Sequence, residues 1–266
     1  MNEILFLETV DSTHRVAREL AAEGKPQGFA VLAARQLAGR GRLGKSWQSP
    51  AGMGLYCTIL LRPALKLEDY SKITLTAGLA VSQVLEEMCH LQVQLKWPND
   101  IYIAGRKCGG ILVETSSLQG EAEEHFALVG IGVNVNGDRD SFPPELQQSA
   151  TSLFLESGKE SDILTLFTGI RTRLLQLISQ LAGEGFADIL DQWRERDMLH
   201  GKWMQWLTPK GEIVYGESLG VDSCGVLSVR DRSGRRHKVL SGDVALAARL
   251  NKRKEKTEKN ILINLT

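Results

Sequence analysis

Apolar and polar positions divide the first 200 residues into short strands and longer helices. Seven apolar runs predict β-strands, at residues 4–7, 29–34, 55–61, 93–95, 101–103, 111–113 and 126–135. We expect Gly130 and Gly132 to break the last of these strands. Apolar residues at helical spacing predict four helices, after Asp11-Ser12-Thr13, over 71–88, near 162–181 and over 185–195. These elements are typical of an α+β domain.

The pattern changes after about residue 197. From 201 to 246, short β-type runs alternate with tight turns such as Pro209-Lys210-Gly211 and Ser233-Gly234. Short strands joined by tight turns predict a small β-barrel. We therefore divide the chain into a large first domain, a barrel and a tail, at residues 1–197, 198–248 and 249–266.

Charge is balanced over the whole chain but not along it. The 266 residues include 32 Lys and Arg against 32 Asp and Glu. Residues 248–266 hold six basic and two acidic residues, so the tail is basic and the body slightly acidic. Zero net charge disfavours a protein whose whole surface binds nucleic acid, and we expect the polar tail to be mobile.

Chain length and cysteine content limit the class of protein further. A chain of 266 residues can bury a sizeable core without disulfides or a structural metal. Its four cysteines form no Cys-x-x-Cys pair, which disfavours zinc and thioredoxin-like sites and suits a reducing cytoplasm. There is no secretory signal and no apolar run long enough to cross a membrane, so we predict a cytoplasmic protein without a membrane partner.

One glycine-rich segment matches two nucleotide-binding patterns at once. Gly39-Arg40-Gly41-Arg42-Leu43-Gly44-Lys45-Ser46 fits the P-loop pattern G-x-x-x-x-G-K-S and the dinucleotide pattern G-x-G-x-x-G. Both patterns require a helix after the loop, because the helix N-terminus helps to bind the phosphates. Pro50 and two glycines follow instead, and then an apolar strand. The context disfavours both patterns, and a solvated basic surface loop stays open as an alternative.

The same loop has the chemistry to close over an anionic nucleotide. Its glycines give the backbone freedom to move between an open and a closed form. Arg40 and Arg42 are permanently charged and can bind phosphate or carboxylate through paired hydrogen bonds. Trp47 offers a flat face on which a base could stack.

Five segments follow one another along the chain: Asp11-Ser12-Thr13, the glycine-rich loop through Trp47, Lys96-Trp97-Pro98-Asn99-Asp100, Lys107 with Gly109-Gly110-Ile111-Leu112-Val113-Glu114, and Gly130-Ile131-Gly132-Val133-Asn134-Val135-Asn136. In this order and spacing they resemble the biotin protein ligases. The resemblance covers about residues 5–247, and Gly242-Asp243-Val244 fits the end of the family's C-terminal barrel. His14 stands where the family usually has Asn. The motifs begin at residue 11, so we expect no N-terminal helix-turn-helix domain of the kind that repressor members carry.

The resemblance implies a fold, a reaction and partners. The implied fold is a class II synthetase-like catalytic domain, with helices packed on a mixed, largely antiparallel sheet, followed by an SH3-like β-barrel. The implied enzyme activates biotin with ATP as biotinyl-5′-AMP. It then transfers biotin to a lysine of a biotin carboxyl carrier protein, such as the carrier subunit of acetyl-CoA carboxylase. Mg²⁺ would accompany ATP, nucleic acid would not be a partner, and the protein would be a monomer or a homodimer.

The resemblance also implies roles for individual residues. Two anions must meet in the first step, so fixed positive charge is needed, which Lys107, Arg42 and Arg40 supply. Asp100 is a further catalytic candidate that could orient the incoming lysine or accept its proton. The implied biotin contacts are Ser12, Thr13 and Gln36 at the ureido group, with His14, Arg40, Gly41, Arg42, Lys107, Gly109 and Gly110. The implied contacts with ATP and the adenylate are Arg40, Arg42, Trp47, Lys107, Asn134 and Asn136.

Structural roles stay open beside these assignments. Ser12 could simply cap the first helix, and Lys96 and Asp100 could form an ordinary ion pair. Asn134 and Asn136 alternate in an apolar strand and could be buried with structural partners.

Three other functions also stay open. A lipoate-type acyl ligase on a related fold is the nearest. A P-loop nucleotide hydrolase would depend on Lys45, and a biotin-sensing regulator of transcription would need to bind DNA.

Overall fold

A computed structural model describes residues 3–118 and 124–239. The chain divides after Arg196 into two compact units, Met1–Arg196 and Asp197–Thr266. The roles assigned above to the three segments stay predictions. The basic tail at 249–266 and Gly242-Asp243-Val244 lie outside the described residues.

Among the described residues, a seven-stranded mixed sheet forms the centre of the first unit. Its strands are β1 (Ile4–Val10), β2 (Ala30–Gln36), β3 (Gly54–Leu61), β4 (Val93–Lys96), β5 (Asp100–Ile103), β6 (Arg106–Leu118) and β7 (Glu124–Asn134). Their order across the sheet is β1-β2-β3-β7-β6-β5-β4. β1 and β2 are parallel, and the other neighbours are antiparallel. The expected α+β fold with a mixed sheet is confirmed.

Helices cover both faces of this sheet. They are α1 (Thr13–Ala22), α2 (Ile73–Cys89), α3 (Leu153–Ser157), α4 (Ile163–Gly183) and α5 (Ala187–Arg194). α1 has one apolar side, which places Ala17 and Ala21 in a cluster with Val31, Leu60 and Leu128 of the sheet. α2 packs on the sheet and also on α4 and α5, and for this reason it is buried on most sides.

α1 and α2 lie on opposite faces of the sheet. His14 of α1 lies over Gly130 of β7, whereas Gly78 of α2 lies beside Ile111. Ile111 pairs with Ile131, the neighbour of Gly130. Successive residues of a strand point to opposite faces, so the α1 face carries Gly130 and the α2 face carries Ile111.

The structure differs from the expected elements at two places. The predicted break in β7 is wrong: Gly130 and Gly132 pair with β3 on one side and with β6 on the other, so β7 continues through both. Helix α3 was not predicted. The Ser152 hydroxyl accepts a hydrogen bond from the Leu155 N–H at its start, and Gly158, with φ of 71°, ends it.

The second unit contains a four-stranded antiparallel sheet within its described part. Its strands are β8 (Trp203–Leu207), β9 (Ile213–Val221), β10 (Leu227–Asp231) and β11 (Arg236–Lys238), in the order β11-β10-β9-β8. Trp206 is fully buried, and its Nε1 donates a 2.8 Å hydrogen bond to the Gly216 carbonyl. Closure of these strands into an SH3-like barrel stays a prediction.

Candidate active site

Strands β6 and β7 leave a strip without side chains on the face that carries α1. Gly110 pairs with Gly132, and this pair lies between Asp100 on β5 and Tyr56 on β3. Paired residues share a face of the sheet, so these four residues form one row with a flat middle. Gly109 belongs to the opposite face, where an added Cβ would lie 3.2 Å from Ile101. The strip lets a ligand approach the backbone closely.

The glycine-rich loop connects β2 to β3 without an α-helix. It contains one short 3₁₀ turn, Arg42–Gly44, in which Leu43 has φ of 60°. It then continues through a turn at residues 51–53 into β3. The helix that a P-loop or a dinucleotide-binding loop needs after its glycines is therefore absent at this described position.

Trp47 connects this loop to the glycine strip. A Cβ added to Gly132 would lie 2.7 Å from Cε2 of the indole, so the ring rests directly on this glycine. The Lys107 ammonium lies 5.7 Å from the ring centroid. The indole Nε1 is buried and has no hydrogen-bond partner in the described part of the chain. Trp47 thus connects the loop to the strip, with the Lys107 ammonium over its ring.

Lys107 and Asp100 form an ion pair at the border of the strip. Lys107 Nζ donates a 2.6 Å hydrogen bond to Asp100 Oδ1, and both side chains are partly exposed. Lys96 instead lies over the ring of Tyr102, at 5.4 Å from the centroid. The Lys96–Asp100 ion pair considered from the sequence is therefore wrong, since Asp100 binds Lys107.

Arg42 lies near Asp100 of this pair. Its Nη1 donates a 3.0 Å hydrogen bond to Asn99 Oδ1, while Asn99 Nδ2 donates to the Ile111 carbonyl. Burial lowers the pKa of the guanidinium, and the nearby Asp100 carboxylate opposes this shift. Arginine stays charged at working pH, so Arg42 is a half-buried cation. Arg40 is exposed.

The start of α1 supplies the uncharged candidates. Both the backbone N–H and the hydroxyl of Thr13 donate to Gln36 Oε1, at 2.9 and 3.1 Å. Gln36 Nε2 donates to Ser49 Oγ at 3.0 Å, and Ser49 donates to the Trp47 carbonyl at 3.3 Å. Ser12 is buried at the N-cap position, but its side chain makes no capping hydrogen bond. The capping role considered for Ser12 is therefore wrong.

His14 is a buried residue of α1, and its ring lies over Gly130 of β7. Its Nδ1 lies 3.3 Å from Thr58 Oγ1, and its Nε2 lies 3.6 Å from the Glu114 carboxylate, which also binds Arg18. Burial lowers the pKa of His14 to about 4, against the raising effect of Glu114. His14 is neutral at pH 7 and faces the sheet, not the solvent.

Asn134 and Asn136 bind backbone at a different place. Asn134 Nδ2 donates to the Thr151 carbonyl at 2.9 Å. Asn136 Nδ2 donates to the Ser161 carbonyl at 3.0 Å, and its Oδ1 accepts from the Ser161 N–H at 2.9 Å. These contacts hold the loops that follow β7. A role for either residue in binding ATP stays a prediction.

The structure thus brings eight of the other candidates into two connected groups, of which Ser12, Arg40, Gly41 and Gly109 are not members. The charged group contains Arg42, Trp47, Asp100, Lys107 and Gly110. The neutral group contains Thr13, His14 and Gln36, and Ser49 joins it to Trp47 of the charged group. Such an arrangement can hold an anionic group and a neutral polar group side by side.

Three polar residues of the site were missed from the sequence. Asn99 was quoted only as part of a motif, although it binds Arg42. Thr58 and Ser49 are both buried and bonded into the neutral group. Thr58 could have been noticed as a polar residue in the middle of the apolar run 55–61.

Two further properties concern the described residues as a set. Across 3–118 and 124–239, no three His, Cys, Asp or Glu side chains are grouped so that they could hold a metal ion. Within the same ranges, no helix has the length and apolar character needed to cross a membrane.

Comparison with known proteins finds consistent relatives. Residues 6–134 match the sequence model of the biotin/lipoate A/B protein ligase family. The bifunctional ligase/repressor BirA of Bacillus spizizenii is 36% identical over 91% of this chain and 74% of its own length. The biotin–[acetyl-CoA-carboxylase] ligase of Paracoccus denitrificans is 33% identical over 86% of this chain and 95% of its own.

A solved structure agrees with these sequence relatives. Biotin protein ligase from Aquifex aeolicus, in complex with biotin and ATP, superposes with a TM-score of 0.75. Its sequence is 29% identical, and the match covers 91% of this chain and 97% of that one.

Proposed function

Because this chain belongs to the biotin protein ligases of the biotin/lipoate A/B protein ligase family, we propose that the two connected groups form its active site. The enzyme is an ATP-dependent biotin ligase, which forms biotinyl-5′-AMP and transfers biotin to a lysine of a carboxylase carrier. One observation carries the assignment of the site. Trp47 rests on the glycine strip with the Lys107 ammonium over its ring, and Ser49 connects it to the neutral hydrogen-bonding group.

In the first step, the biotin carboxylate attacks the α-phosphorus of ATP and pyrophosphate leaves. Both reactants are anions, so a cation placed between them lowers the barrier. Lys107 is held at the border of the strip by Asp100, and Arg42 is held by Asn99. We assign the carboxylate and the α-phosphate to Lys107 and the phosphates to Arg42 and the exposed Arg40. Trp47 would provide the apolar surface beside the adenylate.

Biotin needs neutral partners at its other end. The ureido group offers one carbonyl oxygen and two N–H groups, and charged side chains there would be left unpaired. Ser12 and Thr13 are uncharged residues at the start of α1, and Gln36, at the end of β2, accepts two hydrogen bonds from Thr13. The strip at Gly110 would pass under the ligand between the two groups, beside Trp47 on the neighbouring Gly132.

Mg²⁺ fits this donor set only as an ion carried by the nucleotide. The described residues contain no cluster of three metal-binding side chains, and Asp100 is the carboxylate of the charged group. Mg²⁺ is commonly bound by one carboxylate together with substrate phosphates. Asp100 is already paired with Lys107, so the nucleotide phosphates would hold the ion, which would supply positive charge at their oxygens.

For the second step we propose Asp100 as the residue that receives the carrier lysine. Asp100 already binds one ammonium, that of Lys107, so it can orient a second one or accept its proton. Asp100→Asn should slow transfer from preformed biotinyl-5′-AMP to the carrier. Transfer at the wild-type rate would remove Asp100 from this step.

Several finer assignments rest on the family resemblance alone. We propose that the carrier is a biotin carboxyl carrier protein and that the enzyme acts in the cytoplasm. A monomer or homodimer, without nucleic acid as a partner, stays the expectation.

The deciding experiment is biotin transfer to a purified carrier domain with ATP and Mg²⁺. We expect one biotin per acceptor lysine, detected as a mass increase, and no product when ATP is omitted. Lipoate at the same concentration serves as the competing substrate, because the family also includes lipoate ligases. Lipoate transfer faster than biotin transfer would replace the proposed substrate.

A further inference from the structure

A continuous series of buried hydrogen bonds runs under the N-terminus of α1. It begins at His14 Nδ1, which lies 3.3 Å from Thr58 Oγ1, and continues 2.9 Å from there to Thr13 Oγ1. Thr13 donates to Gln36, and Gln36 donates to Ser49. Four of its five members, all except Gln36, are less than 7% exposed. Neither His14 nor Thr58 has a role in the reaction described above.

One direction of donors and acceptors makes every hydrogen bond of this series. Gln36 Oε1 accepts from the Thr13 backbone N–H, so this atom is the oxygen of the carboxamide and the Thr13 hydroxyl must donate to it. A hydroxyl has one proton. Thr13 therefore accepts from Thr58, and Thr58 in turn accepts from His14. His14 must carry a proton on Nδ1.

In this direction neutral His14 carries its proton on Nδ1 and leaves Nε2 bare. This nitrogen is buried without a hydrogen-bond partner among the described residues, 3.6 Å from Glu114. The groups facing the ring are Thr58 on β3, Glu114 on β6, Arg18 on α1 and, at longer range, Arg40 of the loop. Protonation of Nε2 would leave the Nδ1 donor unchanged, so the direction holds in both charge states.

The direction of the series decides which polar groups are left for a ligand. Gln36 Oε1 is occupied by two donors from Thr13, and one Nε2 hydrogen is given to Ser49. The second Nε2 hydrogen is left for a ligand, and the Ser12 hydroxyl makes no capping hydrogen bond. Both are neutral donors, which is what a ureido oxygen requires.

Resting on the proposed function, we propose that His14 and Thr58 are positioning residues for biotin binding. Through Thr13 they fix the Gln36 carboxamide with one Nε2 hydrogen free for the ureido oxygen. Through Ser49 they tie this donor to the glycine-rich loop. Neither residue touches the reacting atoms, so their loss should weaken biotin binding and leave the chemical step unchanged.

Thr58→Val and Thr58→Ser form a matched pair for the test. Valine keeps the shape of threonine without a hydroxyl, and serine keeps the hydroxyl. Biotin binding to the full chain is measured by calorimetry without ATP, and pyrophosphate exchange gives the KM for biotin, the KM for ATP and kcat. We expect Thr58→Val to raise the Kd and KM for biotin roughly tenfold, with the KM for ATP and kcat within about twofold. Thr58→Ser should bind within about twofold of wild type.

His14→Asn and His14→Leu give a second, independent pair. Asn can donate from Nδ2 to Thr58, whereas Leu fills the space over Gly130 without a donor. We expect the Asn variant to bind biotin as wild type does and the Leu variant to bind as Thr58→Val does. This pair decides the question if Thr58→Val does not fold.

Each result either supports or overturns the proposal. Wild-type affinity in Thr58→Val or His14→Leu overturns it. Equal weakening in Thr58→Val and Thr58→Ser, or a parallel loss of kcat and of ATP binding, also overturns it, because such a pattern reflects packing alone. Wild-type protein that neither binds nor transfers biotin defeats the proposed function itself, which separates the two failures.

Discussion

Lys107 is the side chain on which the proposed chemistry depends most. It is fixed by a 2.6 Å hydrogen bond to Asp100 and lies beside Trp47. Lys107→Ala should slow biotin-dependent exchange of pyrophosphate into ATP by roughly 10²- to 10³-fold, because the charge that stabilises the transition state is lost. Circular dichroism should show an intact fold, since the side chain is partly exposed.

Lys45 is the matched control for Lys107. It is exposed in the glycine-rich loop and is the lysine that a P-loop would require. We expect Lys45→Ala to exchange pyrophosphate within about threefold of wild type. A larger loss in Lys45→Ala than in Lys107→Ala would contradict the assignment and favour a P-loop.

His14 should make the stability of the protein depend on pH. Its pKa is lowered from 6.5 to about 4 in the folded protein, so the unfolded chain binds a proton more readily between these values. Stability is then fully present above pH 6.5 and is lost as the pH falls toward 4, by up to about 3 kcal/mol. The measurement is the free energy of unfolding in urea, at pH 7 and at pH 4.5.

His14→Asn provides the comparison for this prediction, because Asn does not titrate. The difference in stability between wild type and variant should change by roughly 2 kcal/mol between the two pH values. Parallel pH profiles would show that burial does not shift the pKa of His14.

Strand β7 shapes the site because its glycines have no side chains. An added Cβ would lie 2.7 Å from the Trp47 ring at Gly132. Gly132→Ala should therefore push Trp47 off the strip, with a loss of about 1–3 kcal/mol in stability and faster tryptic cleavage after Arg40 and Arg42.

Gly183→Ala is the control for this substitution. Nothing lies within 4 Å of a Cβ at Gly183, the last residue of α4. The change there should stay within about 0.5 kcal/mol of wild type. If Gly132→Ala also stays within that range, Trp47 is not held by the strip.

These glycines also show where sequence patterns were sufficient and where they were not. Hydrophobic periodicity predicted the strands and the long helices, because burial of apolar side chains sets that pattern. The break in β7 was wrong because a strand rule treats glycine as a weak point. Here the absence of a side chain serves the tertiary structure, giving room to Trp47 and His14.

The residues of the site were only partly predictable for a similar reason. The motif order predicted that Lys107, Arg42 and Asp100 share one site. It did not predict their partners, because Asp100 binds Lys107 and not Lys96. Thr58 lies in a strand 22 residues beyond Gln36. Its contacts with Thr13 and His14 depend on sheet register and on where α1 packs against the sheet. No local sequence pattern predicts either.

The balanced net charge of the whole chain gives no sign of its anion-binding site. The formal net charge is zero, yet Arg42 and Lys107 both lie near the same carboxylate, Asp100. Net charge describes solubility and general association, whereas a binding site depends on a few charges in fixed positions. The zero net charge is therefore compatible with an ATP-binding enzyme.

The whole protein should couple ATP use strictly to biotin. The glycine-rich loop passes into β3 without the helix that cradles phosphates in nucleotide hydrolases. The proposed site instead places a carboxylate nucleophile at the α-phosphate. Without biotin, ATP turnover should stay at background. With ATP and biotin but no carrier, about one pyrophosphate per enzyme should be released in a burst, because the adenylate stays bound.

Addition of the carrier should convert this burst into steady turnover, with one ATP used per biotin transferred. A carrier whose acceptor lysine is replaced by arginine is the control, because it can bind but cannot be acylated, and it should leave the burst unchanged. The readout is pyrophosphate release followed together with the carrier's mass. ATP hydrolysis to ADP in the absence of biotin, at a rate comparable to that of the full reaction, would favour the nucleotide hydrolase over the ligase.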